Sequence, residues 1–384
     1  MNRINYVNKI SSIPQLYEWE IEELVKISIM FPFMSNTYYL GLINWEDYRD
    51  PIRRLIIPSH MENDDPDWGQ VDASNEYGYE VAPGIQHKYA DSALFLTTDQ
   101  CFGRCRYCFR KRLFLSSGKY ELLDKYDAAI NYIKEHSEID NVILSGGDPL
   151  ALSTETLRHI ISKLRQIEHL KIIRIGTKAP AFYPGRIIDD PSLLELINEY
   201  SSPERRLYFM LHFSHPNEIT DEAMEAVRVL FQAGAILCNQ TPLVRGINDD
   251  SRIIADLCNK LSYIGVTPYY FFQMRPTIGN KPFAIPLTEA YQIFRESQRN
   301  LSGVAKTARL VMSHESGKIE VIGLDESTIY FKQHRSPHSE ECSQLMIADR
   351  NDHGYWLEDF HVKYLSANAY LAYPPKTGPV LMSD

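Results

Sequence analysis

Short apolar runs alternate with longer segments of helical spacing over the middle of the chain. Each run is apolar along nearly its whole length, which is typical of parallel strands that are buried on both faces. Strands that alternate with helices predict βαβ units, arranged either as a doubly wound sheet or as a full or partial barrel. The six predicted strands are Ala93–Thr98, Asn141–Ser145, Lys171–Thr177, Leu207–Phe213, Ala235–Gln240 and Pro268–Gln273.

The segments between these strands carry their apolar residues on one helical face, as in Leu122–Ile133 and Leu157–Ile167. Another helix is predicted to open at Thr220, because the two acidic residues that follow it suit the positive end of a helix dipole. A helix is also predicted over Tyr17–Met30, and the polar residues 63–74 are expected to form a connecting loop. Short strands are predicted at Thr307–Met312, Lys318–Ile322 and Ser327–Phe331.

These elements divide the chain into three predicted parts: a helical N-terminal extension over 1–86, a barrel over 87–300 and a C-terminal closing segment over 301–384. In a doubly wound sheet and in a barrel alike, ligands bind at the carboxyl ends of the parallel strands. Distinctive residues follow the predicted strands and are expected to meet there: Cys101, Gly146, Gly147, Asp148, Gly176, His212, His215, Gln240, Gln273 and Arg275.

The composition excludes several classes of protein. The chain has 384 residues, 44% of them hydrophobic, and a formal net charge of −10. General nucleic-acid binding is not expected, because it needs a surplus of lysine and arginine. The ordinary apolar content argues against disorder, and no apolar run approaches about 18 residues, so no membrane span is expected. The N-terminal residues lack the pattern of a secretory signal, and a cytoplasmic location is therefore expected.

Six cysteines are too sparse for a disulfide scaffold, but three of them lie within eight residues. Cys101, Cys105 and Cys108 have the spacing C-x3-C-x2-C, which lets thiolates on one loop converge on a compact inorganic core. A four-iron cluster held by three thiolates would keep one iron open for a substrate. A zinc ion would need a fourth ligand, which His87 or His212 could supply. Three unrelated cysteines are the remaining alternative.

The cysteine motif after the first strand of a βα barrel resembles the signature of radical S-adenosylmethionine (SAM) enzymes. Further motifs, over about residues 85–325, resemble the lysine 2,3-aminomutase family. The fold that this resemblance implies is an α/β, partial parallel (β/α)6 radical SAM barrel with a helical N-terminal extension and a C-terminal closing segment. The motifs are Phe109–Arg112, Leu144–Leu150, Ile173–Gly176, His212–Ile219 and Asn239–Asn248.

The resemblance also implies radical chemistry. Cys101, Cys105 and Cys108 would hold a [4Fe-4S] cluster that an external electron donor reduces. S-adenosyl-L-methionine would then give the 5′-deoxyadenosyl radical, which takes a hydrogen from a small amino-acid-like substrate, while the barrel positions and shields these groups. A 1,2-amino shift is the first expectation, which would make the protein an isomerase.

Several residues are candidates for binding the cofactor and the substrate. Glycines at a strand end let the backbone approach a ligand closely, and Asp148 can accept a bond from the ligand's ammonium group. The alternative is a tight turn in which Asp148 caps a helix. His212 and His215 would lie, by resemblance, near the adenosine and the substrate channel, unless they are hydrogen-bonded core histidines. The candidate cofactor-binding residues at this strand end are Ser145, Gly146, Gly147 and Asp148.

Arg110 matches the family arginine that pairs with the substrate carboxylate, a role that suits a forked guanidinium. The alternative is a surface arginine within the basic run Arg110–Arg112. The family also uses pyridoxal 5′-phosphate on a lysine, for which Lys318 is the only candidate in register. Positions near that cofactor are matched by Lys88, Tyr89 and Gln240.

Two departures from the family weaken the expectation of pyridoxal phosphate. The segment 311–318 lacks most of the glycines that a phosphate-binding loop needs, and Ser92 replaces a family arginine. Loss of the cofactor, with Lys318 as an ordinary residue of a hairpin turn, is the alternative.

The positions that bind the side chain of the substrate in the family also differ here. Arg275 stands where lysine-using members carry an aspartate, and a second aspartate position is Ser313 or His314. A buried arginine would repel an ammonium group, so a carboxylate-bearing amino acid such as glutamate, or another anion, is expected in place of lysine. The alternative is that Arg275 pairs with a protein acid. A family zinc ligand is replaced by Asp250, and the oligomeric state, including a homo-oligomer, stays open.

Two rival functions remain at this point. A member without pyridoxal phosphate could follow the same hydrogen abstraction with an epimerase, dehydratase or oxidase reaction. A non-catalytic iron–sulfur sensor would bind the cluster without turnover, and it would form no 5′-deoxyadenosine.

Overall fold

A computed structural model describes residues 4–65, 67–115 and 126–365 of the protein. Its strands form a two-stranded pair near the N-terminus and one large sheet. In chain order they are β1 (Tyr6–Val7), β2 (Ser35–Asn36), β3 (Glu80–Ala82), β4 (Ile85–Tyr89), β5 (Ser92–Thr98), β6 (Asn141–Gly146), β7 (Ile172–Thr177), β8 (Leu207–Leu211), β9 (Ile236–Pro242), β10 (Thr267–Phe272), β11 (Arg309–His314), β12 (Gly317–Leu324), β13 (Thr328–Arg335), β14 (Leu345–Asp349) and β15 (Lys363–Tyr364).

Helices precede the large sheet and connect its parallel strands. In chain order they are α1 (Glu18–Met30), α2 (Thr37–Leu40), α3 (Pro51–Ile56), α4 (Arg112–Leu115), α5 (Tyr126–Glu135), α6 (Thr154–Arg165), α7 (Ala179–Phe182), α8 (Gly185–Ile188), α9 (Pro191–Tyr200), α10 (Asp221–Gln232), α11 (Ser251–Tyr263) and α12 (Leu287–Ser297).

The strand order of the large sheet follows the chain from β3 to β15. Strands β5 to β11 are all parallel, whereas the strands on either side of this block pair antiparallel. The predicted α/β partial barrel is therefore confirmed. The parallel block has one strand more than the six expected, because β11, at the start of the predicted closing segment, pairs parallel with β10.

Alternation within the strands explains where the core and the cavity lie. In β6 and β7 every second residue is fully buried, and the residues between them, such as Ile143 and Arg174, are half-buried because they face a cavity inside the barrel. The strands are thus not uniformly apolar on both faces. The inner face carries the polar and charged side chains, and an arginine within an otherwise apolar run marks that face.

The helices bury the apolar faces that the sequence predicts. Leu157, Ile160, Ile161 and Leu164 of α6 are all fully buried, and burial of each contributes about 1.5–3 kcal/mol. The Thr220 hydroxyl caps α10 by accepting a hydrogen bond from the backbone N–H of Ala223. The start of the predicted face Leu122–Ile133 lies outside the described residues, but Ala129, Ile130 and Ile133 of α5 are buried.

The N-terminal extension contains α1, α2 and α3, as expected, but the sheet begins at Glu80, before the predicted boundary at residue 86. The chain after residue 333, where no strand is predicted from the sequence, contributes the end of β13 and the strands β14 and β15 to the sheet. Among the described residues, no helix is both long enough and apolar enough to cross a membrane.

Candidate active site

One cavity of about 360 Å³ lies inside the barrel, at the carboxyl ends of the parallel strands. Every residue proposed from the sequence to bind the cluster, the cofactors or the substrate lines it. The fold thus brings together side chains that are more than 200 positions apart. They are Lys88, Tyr89, Cys101, Cys105, Cys108, Arg110, Ser145, Gly146, Gly147, Asp148, His212, Gln240, Arg275 and Lys318.

The three clustered cysteines follow β5 and are free, half-buried thiols. Burial raises the pKa of all three, that of Cys105 to about 12, so a positive metal centre would be needed to hold them as thiolates. Thiolates on one zinc ion lie about 3.8 Å apart, as tetrahedral Zn–S bonds of ~2.3 Å require. In the described part of the chain, the cysteine sulfur atoms do not all lie within 4.8 Å of one another. The donor set therefore fits an iron–sulfur cluster better than a single ion.

The two glycines after β6 hold the loop that leads to the cysteines. The N–H of Gly147 donates to the carbonyl of Thr98 at 2.6 Å, and the N–H of Asp148 donates to Gln100 at 2.6 Å. Gly146 has a φ of +121°, and a Cβ there would lie 2.1 Å from the Thr98 oxygen. These glycines thus permit close contact with the chain before Cys101, whereas the sequence suggested contact with a ligand.

The carboxylate of Asp148 is bonded within the protein. It accepts hydrogen bonds from the Thr177 hydroxyl at 2.7 Å and from the backbone N–H groups of Leu150 and Lys178 at 3.0 and 2.8 Å. Burial raises its pKa to about 6 in spite of these bonds. This is the capping arrangement that the sequence left as an alternative, although Asp148 also lines the cavity.

A buried polar network that the sequence did not reveal lies beside Cys105. Lys178 Nζ is 2.6 Å from Glu218 Oε1 and donates to the carbonyl oxygen of His212 at 2.6 Å. Tyr107 and Ser214 share a hydrogen bond of 2.7 Å in the same network. The signal in the sequence was a lysine directly after the buried strand β7, since a charged residue there must find a partner.

The histidines differ in position. His212 lines the cavity, and its Nε2 accepts from Gln240 Nε2 at 2.9 Å. Burial lowers the pKa of His212 to about 3, helped by Lys178, so its imidazole is neutral. The His215 ring instead accepts from the backbone N–H of Asn217, as expected for a core histidine.

Arg110 is fixed by an acid that the sequence did not suggest. Its Nε is 2.8 Å from Glu76 Oε1, and its Nη1 donates to Ser145 Oγ at 2.7 Å. Glu76 follows the loop that was predicted only to connect two parts of the chain. Burial alone would raise the pKa of Glu76, but Arg110 and Arg112 outweigh burial and lower it to about 2.

Arg275 lies over the ring of Phe109, with its guanidinium carbon 3.9 Å from the ring centroid. Its Nη1 donates to Ser74 Oγ at 2.5 Å, and no described carboxylate forms an ion pair with it. Burial lowers the pKa of Arg275 to about 10, so it remains a cation at neutral pH. The alternative in which Arg275 pairs with a protein acid is therefore not what the structure shows.

Lys318 is the second residue of β12, in the β11–β12 hairpin, and its side chain lines the cavity. No described residue forms a hydrogen bond or ion pair with its amine, which lies 5.0 Å from the ring centroid of Phe272. Burial and the nearby cations, Arg275 first among them, hold the pKa of Lys318 well below its ordinary value. An amine with a lowered pKa and no described partner fits the attachment of an aldehyde cofactor such as pyridoxal phosphate.

The charges of the cavity lining are strongly unbalanced. It contains eight basic residues but only two acidic ones, Glu76 and Asp148. Because like charges in one cavity repel, this lining favours anionic ligands. Arg174 and Arg335 belong to this set although the sequence did not single them out. The basic residues are Lys88, Arg104, Arg110, Arg174, Lys178, Arg275, Lys318 and Arg335.

Comparison with known proteins identifies relatives of this arrangement. A profile of the Radical SAM superfamily matches residues 95–258. A lysine 2,3-aminomutase homologue from Aquifex aeolicus (strain VF5) is 44% identical over 359 residues, covering 93% of this chain and 95% of that protein. The L-lysine 2,3-aminomutase of Clostridium subterminale is 36% identical, with 79% of this chain and 71% of that protein covered. The glutamate 2,3-aminomutase of Clostridioides difficile (strain 630) is 33% identical, with 82% and 73% covered.

The crystal structure of a radical SAM methyltransferase from Sphaerobacter thermophilus matches 68% of this chain and 72% of its own, with a TM-score of 0.41 and 15% sequence identity. The sequence relatives are far more similar, and their matches extend well beyond the cysteine motif. Radical SAM proteins bind a [4Fe-4S] cluster and S-adenosylmethionine, and the cysteine loop of this chain has three thiol groups for the cluster. The chain therefore belongs to the lysine 2,3-aminomutase family of radical SAM enzymes.

Proposed function

We propose that this enzyme catalyses a 1,2-amino shift on an acidic amino acid, with glutamate as the first candidate. The observation that carries the proposal is Arg275, a half-buried cation that faces the cavity and forms no ion pair with a described carboxylate, although Glu76 lies near enough to raise its pKa. A carboxylate of the substrate would compensate its charge, whereas the side-chain ammonium group of lysine would be repelled. The relatives named for lysine are 44% and 36% identical to the chain and the one named for glutamate is 33% identical, so the proposal rests on Arg275 and not on overall similarity.

The cysteine loop would start the reaction. Cys101, Cys105 and Cys108 would hold the [4Fe-4S] cluster, with one iron left to bind S-adenosylmethionine. When bound, these groups supply the hydrogen-abstracting radical. The protein contributes the cavity inside the barrel and the buried network around Lys178 that fixes the walls next to Cys105. An external one-electron donor, in a reducing compartment such as the cytoplasm, is part of this proposal.

Lys318 would hold pyridoxal phosphate, because its amine has no described partner, has a lowered pKa and faces the cavity. When bound, the cofactor supplies a carbonyl carbon through which the substrate nitrogen can migrate. Arg110, held in place by Glu76 and Ser145, would bind one carboxylate of the substrate, and Arg275 would bind the other. Two separate cations thus favour a dicarboxylic amino acid.

Substrate preference tests the proposal. Anaerobically reconstituted enzyme with S-adenosylmethionine and pyridoxal phosphate is incubated with glutamate, aspartate or lysine, and 5′-deoxyadenosine and the β-amino acid are measured. We expect an acidic amino acid to react with the highest kcat/KM. Arg275→Asp should lower that value on the order of tenfold or more, which corresponds to about 1.4 kcal/mol, and should raise the value for lysine. A preference of the natural enzyme for lysine over every acidic amino acid would contradict the proposal.

Retention of the cofactor tests Lys318 separately. Mass analysis of the cofactor released from the anaerobically purified protein should show pyridoxal phosphate in the natural enzyme and almost none after Lys318→Ala. The matched control is Lys306→Ala, since Lys306 is an exposed lysine outside the cavity. If the natural enzyme forms 5′-deoxyadenosine but binds no pyridoxal phosphate, the proposed radical step is supported and the proposed amino shift is contradicted.

A further inference from the structure

Four cations surround the Lys318 amine, each from a different part of the fold. Arg174 comes from β7, Lys88 from β4, Arg335 from the end of β13, and Arg275 follows β10. All four line the same cavity as Lys318. Such a convergence of like charges costs free energy in the empty protein, and a multiply charged anion bound between them would reverse that cost.

Arg335 is held from one side only. Its guanidinium carbon lies 4.3 Å from the ring centroid of Tyr89, and its Nη2 pairs with Asp91 and lies 3.3 Å from Ser92 Oγ. Among the described residues, neither its Nε nor its Nη1 donates to another group. Arg335 thus has N–H groups left for a ligand, while its outer edge is fixed.

Arg174 is arranged in the same way. Its Nε donates to Asn141 Oδ1 at 2.8 Å, and in the described part of the chain its two Nη groups have no hydrogen-bond acceptor. Arg174 is half-buried and uses one of its five donors within the protein, so its other N–H groups remain for a ligand in the cavity. The two arginines lie near enough for Arg335 to lower the pKa of Arg174, after the larger effect of burial.

We infer that Arg174 and Arg335 form the phosphate-binding end of the cavity, where they hold the phosphate monoester of a cofactor whose reactive carbon is attached at Lys318. Two forked guanidiniums match the geometry of a dianionic phosphate, and arginine is the residue best suited to bind it bidentately. The inference rests on the proposed function, since it takes pyridoxal phosphate as the ligand. It makes both arginines positioning residues, because they act on the cofactor and not on the substrate.

The test compares pyridoxal phosphate with pyridoxal, which has the aldehyde but no phosphate. Dissociation constants of both are measured on protein freed of the cofactor, for the natural enzyme, Arg335→Gln and Arg174→Gln. We expect each substitution to weaken binding of pyridoxal phosphate about ten- to a hundredfold, the range for a lost hydrogen bond to a charged group, and to leave binding of pyridoxal unchanged. Arg335→Lys should restore part of the affinity, and Arg350→Gln, at an exposed arginine paired with Asp352, is the matched control.

A second measurement separates this inference from the proposed function. Inorganic phosphate should raise the Tm of the cofactor-free natural protein but not that of Arg335→Gln or Arg174→Gln, whose iron content and circular dichroism confirm folding. If pyridoxal phosphate does not bind but inorganic phosphate still raises the Tm of the natural protein alone, Arg174 and Arg335 form an anion site and pyridoxal phosphate is not its ligand. If the variants keep the natural preference for pyridoxal phosphate over pyridoxal, the inference is wrong and the proposed function is unaffected.

Discussion

At the scale of single residues, Glu76 is the acid on which the basic cavity depends. It is buried between Arg110 and Arg112, and no other acid pairs with Arg110 among the described residues. Replacement by glutamine keeps the shape but removes the carboxylate that pairs with both arginines, so that Arg110 loses its described ion-pair partner and Arg112 loses its shorter one, with Asp72 at 4.0 Å remaining. We therefore expect Glu76→Gln to lower the free energy of unfolding at neutral pH by about 3–5 kcal/mol.

The loss of unfolding free energy caused by Glu76→Gln should depend on pH, and the pKa of Glu76 gives the direction. The folded protein holds the pKa of Glu76 near 2, below its ordinary value of 4.5, because the two arginines outweigh burial. The stability that the charge contributes is thus complete above pH 4.5 and is lost as the pH falls towards 2. Anaerobic urea unfolding of the natural protein and the variant should show a difference that is constant near neutral pH and shrinks in acid. Glu326→Gln, at an exposed acid, is the control; a difference that grows in acid would contradict the assignment.

Residues of the site divide into those that the sequence could identify and those that it could not. The cysteines could be identified because all three lie within eight residues of one loop. Arg275 could be identified because it is a charged residue shortly after a buried strand. Glu76 and Arg335 were not, because their partners Arg110 and Tyr89 are distant in sequence and pair only after folding. For Asp148 the sequence left two roles open, and the structure shows a carboxylate that caps a short helix and also lines the cavity.

At the scale of elements, the turn after β6 and the cysteine loop act as one unit. A Cβ on Gly147 would lie 2.1 Å from the carbonyl oxygen of Gln100, which is too close for any side chain. Gly147→Ala must therefore push the chain before Cys101 out of place, with an overpacking cost of about 1–3 kcal/mol. The cysteines would then no longer share one cluster geometry.

The measurement for this prediction is iron bound per protein after anaerobic reconstitution. We expect Gly147→Ala to lose most of its iron while its circular dichroism stays close to that of the natural protein. Gly303→Ala is the control, because nothing lies within 4 Å of a Cβ at that position. Full iron content in Gly147→Ala would show that the contact between the turn and the loop does not position the cluster.

The elements themselves were largely predictable, and the exceptions have a physical cause. The six barrel strands were found within a few residues because apolar runs between helices identify buried parallel strands. The pairing of β11 with β10 was missed because a short strand carries no sign of its direction. The strands β14 and β15 were missed because they are only five and two residues long, and β15 at the edge of the sheet is exposed.

At the scale of the whole molecule, the overall charge and the charge of the site have opposite signs. The chain carries a formal net charge of −10, yet its cavity is lined by eight basic and two acidic residues. The acidic excess therefore lies outside the cavity. Composition could exclude a general nucleic-acid binder, but only the fold could show that the ligands of the site are anions.

The N-terminal extension and the barrel are joined at the cysteine loop itself. Arg106, between the second and third cysteines, donates from Nε and Nη2 to the carboxylate of Glu62 at 2.9 and 2.7 Å and from Nη1 to the Phe31 carbonyl at 3.1 Å. Lys111 lies 3.5 Å from the same carboxylate, and Glu62 is fully buried. One acid of the extension thus compensates two cations that flank the cluster site.

Glu62→Gln should therefore affect the whole molecule and not the extension alone. The amide keeps the Oε1 acceptor that binds the backbone N–H of Ser59, but it leaves Arg106 and Lys111 without their shared counter-charge. We expect a loss of about 3–5 kcal/mol in the free energy of unfolding, together with faster loss of iron, because both rest on the same contact. Glu22→Gln, at an exposed acid of α1, should change neither. If the extension of the variant becomes sensitive to protease while the barrel keeps its iron, the two parts are independent units and this account of their coupling is wrong.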